Sequence, residues 1–363
     1  MQLRRLWLTD FRSYEAADVA LAPGLTAVVG DNGQGKSNLL EAVAYLATLS
    51  SFRSAPTEAL VRQGASTAVV RAEIARDDRE LLVEAEIVPG GRSRLQVNRQ
   101  RVQRSRDLLG ALRVSVFAPD DLALVKAGPA GRRRFLDDAL VALSPKNDDL
   151  RTEVDRVLRQ RNALLKQAAG RLSPEVELTL DVWDDKLVTA GSLLGERRAA
   201  LLEDLDPYLR TAYADLAGAP VAVGARYESA WWGSEGGLAA ALAAARDEEL
   251  RRRLTLVGPH RDEVGFTIDG LPARTHASQG EQRSLALALR LAAHRLVADA
   301  TETPPVLLLD DVFSELDPAR CDALVTHLLA TGAQTIVTTA GALPPTAAPD
   351  AVLRIAGGVL SPG

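Results

Sequence analysis

The chain has one cysteine and four histidines in 363 residues. A single thiol excludes a disulfide framework, and histidines scattered at 260, 276, 294 and 327 argue against a Cys/His metal centre. No apolar run approaches the roughly 20 residues of a membrane-spanning helix. Charges enter the opening stretch "MQLRRLWLTDFRSYE" too early and too often for a signal peptide. A cytoplasmic protein in a reducing compartment, with no membrane association, is therefore expected. Lysine is also scarce: 38 of the 43 basic residues are arginine. The net charge of −5 speaks against indiscriminate binding to nucleic acid. Against these shortages, 47% hydrophobic and 25% charged residues describe an ordinary globular chain, long enough for two or three domains.

The most informative stretch is "VVGDNGQGKSNLLEA", Val28 to Ala42. The β-branched run "LTAVV" ahead of it predicts a buried strand, and Leu39, Leu40, Val43 and Leu46 after it recur at helical spacing. Between them Gly30, Gly35, Lys36 and Ser37 fit the pattern G-x-x-x-x-G-K-[ST], whose backbone N–H groups close around phosphates at a helix N-terminus. The expected ligand is a nucleoside triphosphate. Lys36 is expected at its β and γ phosphates, and the Ser37 hydroxyl on Mg²⁺.

Far downstream, "PPVLLLDDVFSELD" predicts a strand buried on both faces and ending in two carboxylates. Asp310 is the expected Mg²⁺ ligand. Asp311, one residue on, is expected to orient the attacking water as general base. Between the two motifs, "THASQGEQRSLALALRLAAHRL" carries Leu285, Leu289, Ala292 and Leu296 on one helical face, with Ser278 and Gly280 at its start. Two arginine groups also stand out. Val88 to Arg106 has no acidic residue and holds Arg92, Arg94, Arg99, Arg101, Arg104 and Arg106; Lys126, Arg132, Arg133 and Arg134 form the second. Each group reads either as phosphate contacts or as a solvated basic face.

The order of glycine-rich loop, S-x-G before a helix, apolar strand with two acids and "SELD" resembles the ABC-type ATPases. "FRSY" at Phe11 to Tyr14, "FAPDDLALVKAGPAGRRRFLD" from Phe117, "GPHRDE" from Gly258, "SQGEQRS" from Ser278 and "LLLDDVFSELD" narrow the resemblance to the RecF family, bacterial recombinational-repair ATPases related to the SMC proteins. It runs from the N-terminus to about Thr339. It implies an α/β fold: an ABC-type ATPase head, split in sequence, with an inserted, mainly helical arm. It also implies an ATP-driven homodimer that clamps DNA at gaps or at single-strand/double-strand junctions in the DNA-damage (SOS) response. With RecO and RecR such a dimer promotes RecA loading, and slow, DNA-dependent hydrolysis resets the clamp. ATP and Mg²⁺ are the implied cofactors.

Carried over residue by residue, the resemblance assigns Gly30, Asp31, Asn32, Gly33, Gln34, Gly35, Lys36 and Ser37 to nucleotide, with Arg12 as a further contact. Asp310 goes to metal and Asp311 to water. Ser278 and Gly280 become the contact to the γ-phosphate held by the opposite subunit, and Asp317 the acid that couples the two sites. The usual switch histidine is missing; "TIVTTA" offers Thr338 and Thr339 in its place, and Thr339 is expected. The expected DNA contacts are Arg99, Arg101, Arg104, Arg132, Arg133 and Arg134.

Residues 1–118 are expected as the first part of the head, 119–245 as the arm and 246–363 as the rest of the head. Leu150, Val154, Val157, Leu158, Leu164 and Leu165 lie on one face of the arm's first long helix, and "DG" at Asp269–Gly270 predicts a hairpin. The Pro-, Ala- and Gly-rich tail after Gly341 reads as loosely structured. "GPHRDE" reads either as a charged surface turn or as a contact with nucleotide or the opposite subunit. Two other functional classes remain open on the motifs alone: the motor subunit of an ABC transporter, and a DNA-binding scaffold that does not hydrolyse ATP.

Overall fold

Leu3, Leu6 and Leu8 are buried along β1 (Gln2–Phe11), as in a strand with one face on a core. A bulge between Leu3 and Arg5 accounts for two consecutive exposed residues, Arg4 and Arg5. The computed structural model describes residues 1–76, 79–104 and 107–363. The chain divides into two units: one comprises Met1–Leu122, Thr211–Val221 and Gln279–Gly363, the other Ala123–Arg210 and Ala222–Ser278.

The first unit holds two sheets. β2 (Tyr14–Ala20), β1, β4 (Ala68–Arg76), β5 (Arg79–Ile87), β6 (Arg94–Val97) and β7 (Gln100–Val102) form an antiparallel sheet in the order β2-β1-β4-β5-β6-β7. The second sheet is mostly parallel and contains β3 (Leu25–Val29) and β8 (Val114–Phe117) from the N-terminal part of the chain. α1 (Lys36–Thr48) follows β3, and its Leu39, Leu40, Val43 and Leu46 are buried in one core with Leu6, Val70 and Val83 of the antiparallel sheet and with Val28, Leu308 and Ile336. The helix is buried on nearly all sides: Ala42, Ala44 and Ala47 are buried as well, and its buried charged residues, Lys36 and Glu41, are hydrogen-bonded.

The second unit is built on α2 (Leu122–Lys126, its first residue still in the other unit), α3 (Pro129–Leu143), α4 (Lys146–Ala168), α5 (Pro174–Ala217), whose last turns lie beyond the unit boundary at Arg210, and α6 (Gly237–Arg252). Val154, Val157, Leu158 and Leu165 are buried along α4 while Leu150 and Leu164 are half-buried, so the expected face packs inward. The same unit carries β9 (Val223–Glu228), β10 (Glu263–Ile268), β11 (Leu271–Pro272) and the short α7 (Ala273–His276), with the three strands in the order β11-β10-β9. The expected hairpin forms at Asp269 and Gly270, both at positive φ, and joins β10 to β11. The expected arm boundary at 245 is moved by this sheet. β10 pairs with β9 and packs on α3, so 246–278 belong with the helices. Alternating apolar residues look alike in either unit until the pairing partner is known.

The chain returns to the first unit through α8 (Gln279–Thr301), β12 (Val306–Asp310), α9 (Pro318–Thr331), β13 (Thr335–Thr339), β14 (Ala351–Ala356) and β15 (Val359–Pro362). The second sheet is then complete in the order β15-β14-β3-β13-β12-β8, parallel except for β15. The tail expected to be loose instead adds β14 beside β3 and closes an antiparallel pair with β15. Composition misled here because a strand needs only a partner edge, which β3 supplies. Among the described residues no helix is long and apolar enough to cross a membrane.

Candidate functional site: a phosphate loop beside two aspartates

The carboxyl ends of β3, β13 and β12 lie side by side, with Thr338 in register with both Val28 and Asp310. Ligands of parallel sheets gather at this end. The loop from β3 to α1 is held tightly there. A Cβ on Gly30 would lie 2.4 Å from the carbonyl oxygen of Ile355 in β14, so no other residue fits. Gly35 sits at φ +109°, a conformation that side chains disfavour, and its carbonyl accepts the Tyr14 hydroxyl at 2.9 Å. Gln34 Oε1 accepts Gly357 N–H at 2.6 Å. Lys36 is 6% exposed and donates from Nζ to the carbonyls of Gly30 (2.7 Å) and Asp31 (2.9 Å), which fixes its ammonium over the loop.

"FRSY" braces this loop. Arg12 donates from Nε and Nη2 to the two oxygens of Glu41, both at 2.7 Å, and Glu41 is fully buried in α1. Where sequence expects Arg12 on nucleotide, its guanidinium grips the helix behind the loop. Asn38 Nδ2 donates to Ser13 Oγ at 2.9 Å.

Ser37 Oγ donates to Asp310 Oδ1 at 2.7 Å, so the two expected metal-site residues meet. Asp310 is 6% exposed. Asp311 adopts a left-handed conformation, φ 49° and ψ 28°, uncommon for a residue other than glycine. Its Oδ1 is buried and has no hydrogen-bond partner among the described residues. A hydroxyl, a carboxylate and an unsatisfied carboxylate oxygen are the hard oxygen donors that suit Mg²⁺. Of the two threonines that "TIVTTA" offers, Thr338 is the one at the aspartates. Thr339 turns its hydroxyl to the carbonyl of Gly341 (3.2 Å), whereas Thr338 Oγ1 donates to Asp310 Oδ1 at 2.8 Å and accepts Asp311 N–H at 3.1 Å.

A second group forms at the start of α8, directly after Ser278. The Arg320 guanidinium lies over Gly280, 3.6 Å from where a Cβ would stand, and Arg320 Nη1 donates to Asp317 Oδ2 at 2.6 Å. Asp317 caps α9 by accepting Arg320 N–H at 3.0 Å, and these bonds hold its carboxyl below the usual carboxylate range. Sequence reasoning missed Asp121, which accepts Arg290 of α8 at 2.6 Å and Ala118 N–H at 2.9 Å. "FAPDD" thereby ties the exit of β8 to α8.

The two arginine groups differ. Arg99, Arg101 and Arg104 are exposed around the β6–β7 hairpin. Arg101 and Arg104 line, with Arg92 and Tyr45, an open cleft of about 780 Å³ in which no described lining residue is acidic. Arg106 lies outside the described residues. Arg132, expected on DNA, is instead 4% exposed; its guanidinium reaches both oxygens of Glu263 at 2.6 Å and the carbonyl of Ala127 at 2.8 Å. A phosphate has no access to it. Arg133 donates to the carbonyl of Asp262 at 2.7 Å, and burial with nearby Arg198 lowers its pKa. Arg134 stands 3.8 Å from Asp138.

"GPHRDE" turns at Pro259 to Arg261, with Arg261 exposed but Gly258, Pro259 and Asp262 buried. Asp262 accepts the Tyr227 hydroxyl (2.5 Å) and the Trp231 indole N–H (3.0 Å). Glu263 holds Arg132, the carbonyl of Pro259 accepts Arg198 at 2.7 Å, and Arg261 Nη2 donates to the carbonyl of Thr255 at 3.1 Å. Within the second unit the motif is a packing centre.

A family model described as the RecF/RecN/SMC N-terminal domain matches residues 2–355. A protein of Frankia alni named DNA replication and repair protein RecF is 51% identical over 358 residues, covering 94% of this chain and 93% of the relative. Its namesake in Streptomyces avermitilis is 47% identical over 360 residues and 94% of both chains. A solved structure described as the recombination mediator protein RecF with ATP in the RecFOR pathway superposes with a TM-score of 0.91 at 27% identity, covering 100% of this chain and 97% of the other. An SMC head bound to the C-terminal winged-helix domain of ScpA, at 20% identity and a TM-score of 0.57 over 99% of this chain and 96% of the other, shares the fold. The split α/β head, the phosphate loop beside two aspartates and these matches along nearly the whole chain place the protein in the RecF family.

Proposed function

We propose that this chain is a cytoplasmic, ATP-dependent DNA-binding protein of recombinational repair, and that it hydrolyses ATP slowly to reset a DNA clamp. The observation that carries the ATPase reading is the meeting of Ser37 with Asp310 while the buried Asp311 Oδ1 has no partner among the described residues. In this reading the N–H groups of Gly30 to Ser37 cradle the β-phosphate at the N-terminus of α1. Lys36 leaves its loop carbonyls for the β and γ oxygens. Ser37 and Asp310 hold Mg²⁺, which when bound neutralises charge between those phosphates. Asp311 accepts a proton from the water it orients toward the γ-phosphorus.

The start of α8, with Ser278 and Gly280, closes on the γ-phosphate of a second copy, and Asp317 couples the two sites. Arg99, Arg101 and Arg104 supply phosphate contacts on DNA, with the cleft beside β7 supporting that placement. Gapped DNA and single-strand/double-strand junctions are the proposed substrates, and RecR, RecO and RecA the proposed partners. A relative solved with ATP supports the nucleotide.

The test is hydrolysis of Mg²⁺–ATP by the purified chain, together with binding to gapped and continuous duplexes in ATP, ADP and no nucleotide. Tighter binding in ATP than in ADP is expected. Equal binding in all three states, or no hydrolysis, rejects the reading.

A further inference from the structure

We infer that Thr338 is a positioning residue that sets Asp310 and Asp311 relative to each other. The inference rests on the proposed ATPase reading and concerns the threonine that "TIVTTA" offers beside Thr339. Thr338 is the second-last residue of β13, one before Thr339, and it is fully buried. Its hydroxyl donates to Asp310 Oδ1 at 2.8 Å and accepts Asp311 N–H at 3.1 Å. Its carbonyl accepts the same N–H at 3.1 Å. One threonine therefore holds the side chain of the metal-site aspartate and the backbone of the water-orienting one.

This matters because Asp311 is left-handed at φ 49°. A non-glycine residue stays in that region only where its surroundings over-determine it, and the two acceptors of Thr338 do so here. With the backbone pinned, Asp311 aims a carboxylate whose Oδ1 finds no partner among the described residues. Asp310 Oδ1 receives two hydroxyl donors, Ser37 at 2.7 Å and Thr338 at 2.8 Å. When Ser37 turns to a metal ion, Thr338 is the donor that remains and keeps this carboxylate from rotating. A hydroxyl is needed, since only a group that donates and accepts at one atom can serve both aspartates. Valine has the same shape without that atom.

The experiment compares the wild type with Thr338→Val and Thr338→Ser in the full chain. For Thr338→Val, kcat of ATP hydrolysis should fall about 10- to 100-fold, the worth of a hydrogen bond to an ionised carboxylate, with KM nearly unchanged. The Mg²⁺ concentration that half-saturates binding of a fluorescent ATP analogue should rise several-fold, while binding of the analogue in EDTA stays at the wild-type level. Thr338→Ser should restore both. If the wild type does not hydrolyse ATP, the ATPase reading fails, but the Mg²⁺ midpoint still tests the link to Asp310. A Thr338→Val protein with wild-type kcat and Mg²⁺ midpoint overturns the inference, as does a Thr338→Ser protein no better than valine. Loss of binding in EDTA as well would mean a general collapse of the loop and would also overturn it.

Discussion

Ser37 and Asp310 are 273 residues apart in sequence, yet the hydroxyl of one donates to the carboxylate of the other at 2.7 Å. The contact follows from register: β13 pairs in parallel with both β3 and β12, so the residues that follow β3 and end β12 emerge together. If this is the metal corner of an ATPase, its neighbours divide into binding and chemical roles.

Lys36→Ala should then weaken ATP binding at least about tenfold and abolish hydrolysis, because a buried ammonium over the loop is lost. Asp311→Asn should bind ATP at near wild-type affinity and turn over about 100-fold slower or worse, since the amide accepts no proton. Titration with a fluorescent nucleotide and single-turnover hydrolysis separate the two. Full turnover by Asp311→Asn would remove that carboxylate from the chemistry.

The phosphate loop, β12, the helical spacing of α1 and the amphipathic face of α4 were legible in the sequence because each is a local pattern read over a few turns. Thr338 was not. Its role comes from which strands lie beside β13, and "TIVTTA" reads the same whichever threonine faces the aspartates. Arg132 shows the converse. Three consecutive arginines look like a basic patch, but α3 turns Arg132 inward to Glu263, a strand away in the same unit, and a partner 131 residues distant leaves no local trace. The helical period decides which arginine is buried, and its phase is set only by what α3 packs on.

Charge reversal at Arg99, Arg101 and Arg104 should weaken binding to every DNA sequence alike and flatten the salt dependence by about 0.9 per lost contact on duplex. Arg132→Leu should act differently, lowering stability by about 2–4 kcal/mol through an unpaired Glu263 while leaving the salt slope of the folded fraction intact. Unchanged slopes in the hairpin variants would mark that group as a solvated face.

Two histidines make stability depend on pH. Burial lowers the pKa of His294 to about 3, with His327 and Arg295 adding to the effect, and lowers His260 to about 4, with Arg261 and Arg133 adding to it. Both values lie below the ordinary 6.5, so between about pH 6.5 and 4 the unfolded chain binds protons that the folded chain refuses. Stability should be full above pH 7 and decline as the pH falls, by about 2 kcal/mol between pH 7 and 5 for His294 alone. His294→Gln should make the urea midpoint less sensitive to pH over that range. An equally steep dependence in the variant would show that His294 does not stay neutral in the fold.

The dimer reading makes the most demanding prediction. If the start of α8 reaches the γ-phosphate of another copy, each active site combines Lys36 of one subunit with Ser278 of its partner. Lys36→Ala and Ser278→Ala proteins should then each be inactive alone. Mixed, they form heterodimers in which one site carries both lesions and the other carries none. The intact site should restore ATP-dependent closure, seen as dimerisation by light scattering, and up to about half of the wild-type hydrolysis per heterodimer if one site fires alone. A site completed within a single chain gains nothing from mixing, whatever the ratio. Activity per subunit should also rise with protein concentration in the wild type, because association precedes chemistry. Subunit exchange, confirmed with differently tagged chains, guards against a silent failure to mix. Confirmed exchange without rescue, or activity per subunit independent of concentration with no dimer at saturating ATP, would reject the clamp.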